Sequence, residues 1–354
     1  MRKIAVLLLL IASTFTGCYE PQSNDIDAIN DHFYVKSDGA NLPVQIQGNL
    51  NSNVLVFVLH GGPGGDATIY NEATKTFSDK MEQNYAMVYY DQRGSGISSG
   101  NYKKRESLTI DQHVIDLDKV ITATKFKYGQ NHKVFLLGHS WGGTLGTAYL
   151  LTPGFQQKID GWIEVDGAHN FSGTTEISDM FRQYAPMMIN ANNSVDYWQG
   201  VLDFVNDLDT INDYDISQLN SYGHSAEQYL ANDGFITGED LSAEYFKMYY
   251  SSKYNSVTAS VNLFFTSSGF GMFDEVSNTD FTDQLGEITI PCLFLWGKYD
   301  FVIPPALGIE AFEKVSTPPG NKQMVIFETS AHSPMINQPQ AFTEQVVLWI
   351  DKMK

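Results

Sequence analysis

Six short runs of almost unbroken apolar residues constrain this chain more than any other feature: "VLVFVLH" (54–60), "YAMVYYD" (85–91), "KVFLLGH" (133–139), "GWIEVDG" (161–167), "PCLFLWG" (291–297) and "MVIFE" (324–328). Strands this short, without polar alternation, must be buried on both faces, as in a parallel sheet covered by helices. The stretches between them carry helical spacing. In "IDQHVIDLDKVITATKF", Val114, Leu117 and Ile121 recur at intervals of 3 and 4, and "AFTEQVVLWIDKM" closes the chain in the same way. "HFYVKSDGANLPVQIQG" alternates around a Ser-Asp-Gly turn, the pattern of an opening hairpin. The expected fold class is α/β: a mostly parallel central sheet with right-handed crossovers and helices on both faces.

The alternation of strand and helix stops after Gly167 and resumes near Ile288. Residues 31–166 and 288–354 are therefore expected to form the core, and residues 167–287 an inserted, mainly helical cap, with helical segments around "AEQYLAND", "SAEYFKMYYSSKY" and "SVNLFFTSS". The formal charge of −19 is concentrated there: residues 167–290 hold 18 acidic side chains against 3 basic ones. Such a field repels polyanions, which argues against nucleic acid as a partner, and it favours cationic ligands. Most of these carboxylates need do no more than keep a surface soluble.

The amino terminus, "MRKIAVLLLLIASTFTGCYE", has two cations, an apolar stretch from Ile4 to Ala12 and small residues before Cys18. That is the layout of a secretory signal, here residues 1–17. Nine apolar residues are too few to span a bilayer, which takes about 20. "FTGC" resembles a bacterial lipobox with Phe15 in place of the usual Leu, which implies a lipidated Cys18, a polar tether over residues 18–30 and an exported, membrane-anchored protein of the cell envelope. The other reading is ordinary secretion with Cys18 as an incidental thiol. The second cysteine, Cys292, lies in an apolar run and reads as a buried structural thiol. With two cysteines, no HExxH and eight scattered histidines, neither a disulfide framework nor a metal site is expected.

Gly138-His139-Ser140-Trp141-Gly142 has the form G-x-S-x-G and falls between an apolar strand and a small-residue helix, the context of a nucleophile elbow. A serine needs a base to take its proton, and the base needs an acid to orient it. On this architecture the order is Ser, then Asp or Glu, then His. Asp300 in "FLWGKYDFVIPP" and His332 in "ETSAHSPMINQP" both follow predicted strands in that order. His139 is expected in the flank of the elbow. The remaining histidines lack a strand-end position in the right order. "HGGPGG" (60–65) leaves the first central strand, and its glycines let backbone N–H groups approach a substrate oxygen. The oxyanion hole is assigned to the N–H of Trp141 and that of Gly62, with Gly61 as the alternative. The loop is no phosphate cradle, since G-x-x-x-x-G-K-[ST] is absent, and Gly94, Gly96 and Gly100 do not have dinucleotide spacing.

Taken together and in this order, "HGGPGG", "DQRGSG" (91–96), "GHSWGGTLG", "WGKYDFVIP" and "SAHSP" resemble the α/β-hydrolase superfamily, and most closely its proline iminopeptidase branch. The resemblance covers about residues 31–166 and 288–353. It implies a triad of Ser140, Asp300 and His332, a structural role for "DQRGSG", no cofactor, and cap carboxylates that bind a peptide's free amino terminus. Glu176, Glu227, Glu239 and Glu244 are the candidates for that last role. His139 stands where iminopeptidases have Gly or Gln and many esterases have His. The expected activity is thus removal of amino-terminal proline or a similar residue from peptides. Carboxylic ester hydrolysis is the alternative, and a non-catalytic, membrane-tethered binding protein is a second one.

Overall fold

In the computed structural model, residues 28–67, 69–100, 107–171, 174–209, 211–238 and 271–354 are described. The signal, Cys18, Glu239 and Glu244 lie outside them, as do the segments 242–254 and 260–268 expected to be helical. The apolar runs form strands. β3 (Val54–Leu59), β4 (Ala86–Tyr90), β7 (Gly161–Val165) and β8 (Cys292–Gly297) are buried at every residue. Alternate side chains of β3 serve two separate cores: Leu55, Phe57 and Leu59 pack on one face of the sheet, Val54, Val56 and Val58 on the other.

β6 (Lys133–His139) and β9 (Lys322–Phe327) complete a parallel set in the order β4-β3-β6-β7-β8-β9. The opening hairpin, β1 (Ile29–Ser37) and β2 (Ala40–Gly48), turns at Asp38 and Gly39, and β2 joins the sheet antiparallel to β4. The two-residue β5 (Ser99–Gly100) also pairs with β2. The sheet is therefore mostly parallel with an antiparallel edge.

Helices cover both faces. α2 (Ile110–Tyr128), α3 (Trp141–Leu151) and α8 (Pro305–Lys314) press Val114, Leu117, Leu145 and Leu307 onto one core. α1 (Lys75–Asn84) and α10 (Pro339–Met353) press Phe77, Met81, Phe342 and Trp349 onto the other. Between β7 and β8 the chain builds α4 (Thr174–Asn190), α5 (Val195–Asn206), α6 (Asp213–Asn232) and α7 (Gly271–Ser277). Helices α4 to α6 have their own apolar centre, in which Phe181, Trp198 and Leu219 gather around Phe301. Phe301 belongs to the loop after β8, and its ring stacks on Phe181 at 4.7 Å. Where the interval begins and ends, Asn170 bridges to Asp280, with backbone hydrogen bonds from Phe171 to Thr279 and from Phe281 to His169. α9 (Pro334–Asn337) is a single turn before α10. No described helix is long and apolar enough to cross a membrane.

Candidate active site

The carboxyl ends of β3, β6, β7, β8 and β9 lie along one edge of the sheet, and the chemistry-bearing residues collect on the loops that leave them. Ser140 sits between β6 and α3 at φ 55° and ψ −123°, a conformation that an L-residue holds only under constraint. The constraint is close packing. A Cβ at Gly142 would run into the backbone of Leu59 on β3, and one at Gly138 into Gly142 and the Trp162 ring. The small residues of the motif thus let strand and helix meet at a sharp angle, and the hydroxyl is left partly exposed in a large cavity.

Asp300 and His332 meet as the sequence order requires. His332 Nδ1 donates to Asp300 Oδ2 at 2.8 Å, and both side chains are buried. Asp300 Oδ1 accepts from the N–H groups of Val302 and Ile303 at 2.8 and 2.9 Å, so the carboxylate is fixed before the imidazole reaches it. Asn337 holds the His332 loop from below, its Oδ1 accepting from the N–H of Ala331 at 3.0 Å. With Nδ1 committed, Nε2 is the nitrogen left for Ser140; both residues line the same cavity. Burial pulls the His332 pKa down, but the charge of Asp300, the hydrogen bond to it and the charge of Glu227 outweigh that pull and hold it above the ordinary histidine value.

The "HGGPGG" loop lies against the serine: a Cβ on Gly61 would be 3.2 Å from Ser140 Cβ. Its orientation follows from the tautomer of His60. His60 Nε2 accepts from the Gln92 N–H at 3.1 Å, so Nδ1 carries the proton and donates to the Gly61 carbonyl at 2.9 Å. The N–H of Gly65 donates to the same carbonyl at 3.3 Å. In a planar trans peptide the N–H points opposite the C=O, so the Gly62 N–H is turned away from His60. The N–H of Gly61, the alternative oxyanion donor, donates to the Tyr70 hydroxyl at 3.3 Å. Gln92 of "DQRGSG" ties this loop to the elbow, its amide donating to the His60 carbonyl at 3.0 Å and accepting from Trp141 Nε1 at 2.7 Å. The rest of that run is structural: Arg93 forms a buried bidentate pair with Asp116, and Asp91 accepts from the N–H groups of Ala67 and Ile97.

The cavity has a volume of about 560 Å³. One wall is apolar, with Val276, Val302, Ile303 and Leu307, and α6 contributes Asn220, His224 and Glu227. Of the four cap carboxylates named from the sequence, Glu227 is in the cavity, near the His332 backbone N–H, and burial raises its pKa. Glu176 is half-buried at the start of α4 and is not among the cavity residues; Oε2 has no hydrogen-bond partner among the described residues.

Three participants were not assigned from the sequence. His224, set aside there, places its ring 6.1 Å from that of His332; shielding from bulk solvent pushes its pKa down to about 4. Tyr70 carries no motif. Asp166 directly follows β7 in "WIEVDG" just as Asp300 follows β8, and a carboxylate at a strand's carboxyl end was the available signal. Asp166, Asp300 and His332 bring possible ligand atoms within 4.8 Å of one another. The His332 and Asp300 donors are committed to each other and to backbone N–H groups, so a metal would have to displace that hydrogen bonding. Cys292 is buried, and burial pushes its thiol up to about 12.

With this geometry in view, comparison with known proteins gives a consistent result. The alpha/beta hydrolase fold family matches residues 54–339, and the chain belongs to that family. Within it the kinship is with the proline iminopeptidase branch. The chain is 26% identical over 322 residues to a proline iminopeptidase of Saccharolobus solfataricus, covering 90% of this chain and 92% of the relative. It is also 26% identical over 296 residues to a probable aminopeptidase, YbaC, of Bacillus subtilis, covering 82% of this chain and 86% of the relative. Among solved structures, an esterase from Exiguobacterium antarcticum superposes with a TM-score of 0.60 at 20% identity, over 91% of this chain and 100% of its own. That last likeness is one of fold.

Proposed function

We propose that this hydrolase works through an acyl-enzyme on Ser140 and removes amino-terminal proline or similar residues from peptides. Ser140 Oγ attacks the carbonyl carbon while its proton passes to His332 Nε2, Asp300 holding the tautomer and balancing the imidazolium. The N–H groups of Gly62 and Trp141 receive the developing oxyanion. Collapse returns the proton from Nε2 to the leaving amine, and a water activated by the same imidazole releases the acid. The observation that carries the substrate class is the Glu227 carboxylate, which shares the cavity with Ser140 and His332. A carboxylate largely withdrawn from water is compensated by a bound ammonium, and the names of the relatives agree with a free amino terminus as its source.

A second reading, carboxylic ester hydrolysis, is favoured by the apolar wall of Val276, Val302, Ile303 and Leu307, which suits an acyl chain. Proline p-nitroanilide, its N-acetyl derivative and p-nitrophenyl butyrate separate the two, with Ser140→Ala as control. Cleavage of the free anilide that vanishes on acetylation supports the aminopeptidase; turnover of the ester alone moves the protein to the esterases. Failure of folded protein to take up an organophosphonate at Ser140 would favour a non-catalytic binding protein. We further propose that the protein is exported and anchored by a lipid on Cys18. Uptake of labelled fatty acid by the wild type and not by Cys18→Ser is the expected result; no uptake by either refutes the anchor.

A further inference from the structure

We infer that His139, the residue before the nucleophile, is a positioning residue that couples the oxyanion loop to the loop carrying the base, with Tyr70 as its intermediary. The inference rests on the serine reading above and extends it to two side chains that touch no reacting atom.

The argument starts from donors and acceptors. His139 Nε2 lies 2.6 Å from the backbone carbonyl of His332, which can only accept, so Nε2 carries the proton. Nδ1 is then an acceptor, and the Tyr70 hydroxyl, 2.7 Å away, donates to it. The hydroxyl oxygen in turn accepts from the Gly61 N–H at 3.3 Å. A hydrogen-bonded chain therefore runs from the N–H of the peptide next to the proposed oxyanion donor, through two buried rings, to the carbonyl of the proposed base. The tautomer is stable: burial, and then the neighbouring His332 charge, push the His139 pKa down to about 3, so the imidazole stays neutral when His332 is protonated. The rings are also packed, with His139 centred 4.9 Å from His332 and 6.0 Å from Tyr70. Gly61 carries the carbonyl that His60 holds on the far side, so its peptide neighbours are fixed from both ends. Releasing one end lets the Gly62 N–H swing, and the base moves with it.

The test uses three variants of the full chain. Gln at 139 can donate to the His332 carbonyl through its amide nitrogen and accept from Tyr70 through its oxygen; Leu can do neither, and Tyr70→Phe cuts the other half of the chain. A misplacement of about 1 Å can cost roughly 10²-fold in rate. His139→Leu and Tyr70→Phe are therefore expected to lower kcat by about 10- to 100-fold with KM changed by less than about threefold, and His139→Gln to restore it. Amide hydrogen exchange supplies a readout that needs no activity: in both damaging variants it should speed up in segments 60–66 and 330–336 together, and return to wild-type rates in His139→Gln. Exchange that rises in one segment only, or a Gln variant no better than Leu, overturns the coupling. Loss of fluorophosphonate labelling in Ser140→Ala checks the underlying serine reading separately. If wild-type protein fails to label, that reading falls while the exchange data still decide whether His139 links the two loops.

Discussion

Asp166 and Asp300 stand side by side as buried carboxyls just past the ends of neighbouring strands, an arrangement that favours the neutral acid form of Asp166. Burial, and then the Asp300 charge, raise the Asp166 pKa well above the carboxylate range. Its Oδ1 accepts from the Gly297 N–H at 2.8 Å, while no N–H or hydroxyl reaches Oδ2 among the described residues. The upward shift favours a proton on Oδ2, with the Asp300 carboxylate beside it to accept. A hydrogen bond to a charged group is worth about 1.5–3 kcal/mol. Asp166→Asn keeps a donor and should leave kcat near wild type, whereas Asp166→Leu should lower it by roughly 10- to 100-fold, the same energy expressed as a rate. If Asn is as damaging as Leu in steady-state kinetics, Asp166 acts through charge and this account is wrong.

Asp300 itself is the orienting acid of the proposed mechanism. Its second oxygen is already occupied by two N–H groups, so Asp300→Asn must turn its amide nitrogen toward His332 or abandon them. The imidazole is then held with its proton on the wrong nitrogen. Turnover should fall by roughly 10⁴-fold with folding intact. A fall of less than about tenfold, with the melting temperature unchanged, would show that His332 does not depend on Asp300 for its tautomer.

The six apolar runs foretold every long strand of the parallel set because burial on both faces leaves no other composition open to them. Ser140, Asp300 and His332 were legible for a related reason: each lies within four residues of the end of such a run, so strand ends bring them to one edge. Tyr70 and the wiring of His139 were not legible, since their partners lie 9 and 193 residues away and the contacts are to backbone atoms, which leave no pattern in a sequence. Glu227 was one of four equal candidates until α6 set it in the cavity. An amphipathic cap helix has many carboxylates, and only its packing angle decides which one faces inward.

The Arg93–Asp116 pair gives a prediction about stability. Arg93 donates to Asp116 through Nε and Nη2, both at 2.9 Å, and to the carbonyl of Ser37 at 2.8 Å, with its side chain fully buried. It thereby ties the hairpin, the loop after β4 and α2 together. Arg93→Met leaves Asp116 charged in the interior and should cost about 3–5 kcal/mol. In Arg93→Met/Asp116→Leu much of that loss should be regained, because the orphaned charge goes with it. Denaturant midpoints for the two variants check this. A double variant less stable than the single one would mean the pair is worth more than the desolvation it entails.

Glu227 links the cap to the acid–base chemistry, and its effect has a definite sign. His332 must be neutral to accept the serine proton, so activity falls as pH drops through its pKa. That pKa lies above the ordinary value partly because of the Glu227 charge, although the Asp300 charge and hydrogen bond contribute more. Glu227→Gln removes the smaller share and should move the acid limb of the kcat/KM profile to lower pH. The shift expected is about 0.5–1 unit, less than the 1–3 units given by a charge in direct contact. The same variant should raise KM for a substrate with a free amine and leave KM for p-nitrophenyl butyrate unchanged, since an ester offers the carboxylate no cation. An acid limb that stays in place would show that Glu227 does not reach the base electrostatically. An equal rise in KM for both substrates would show that it shapes the cavity rather than binding an amine.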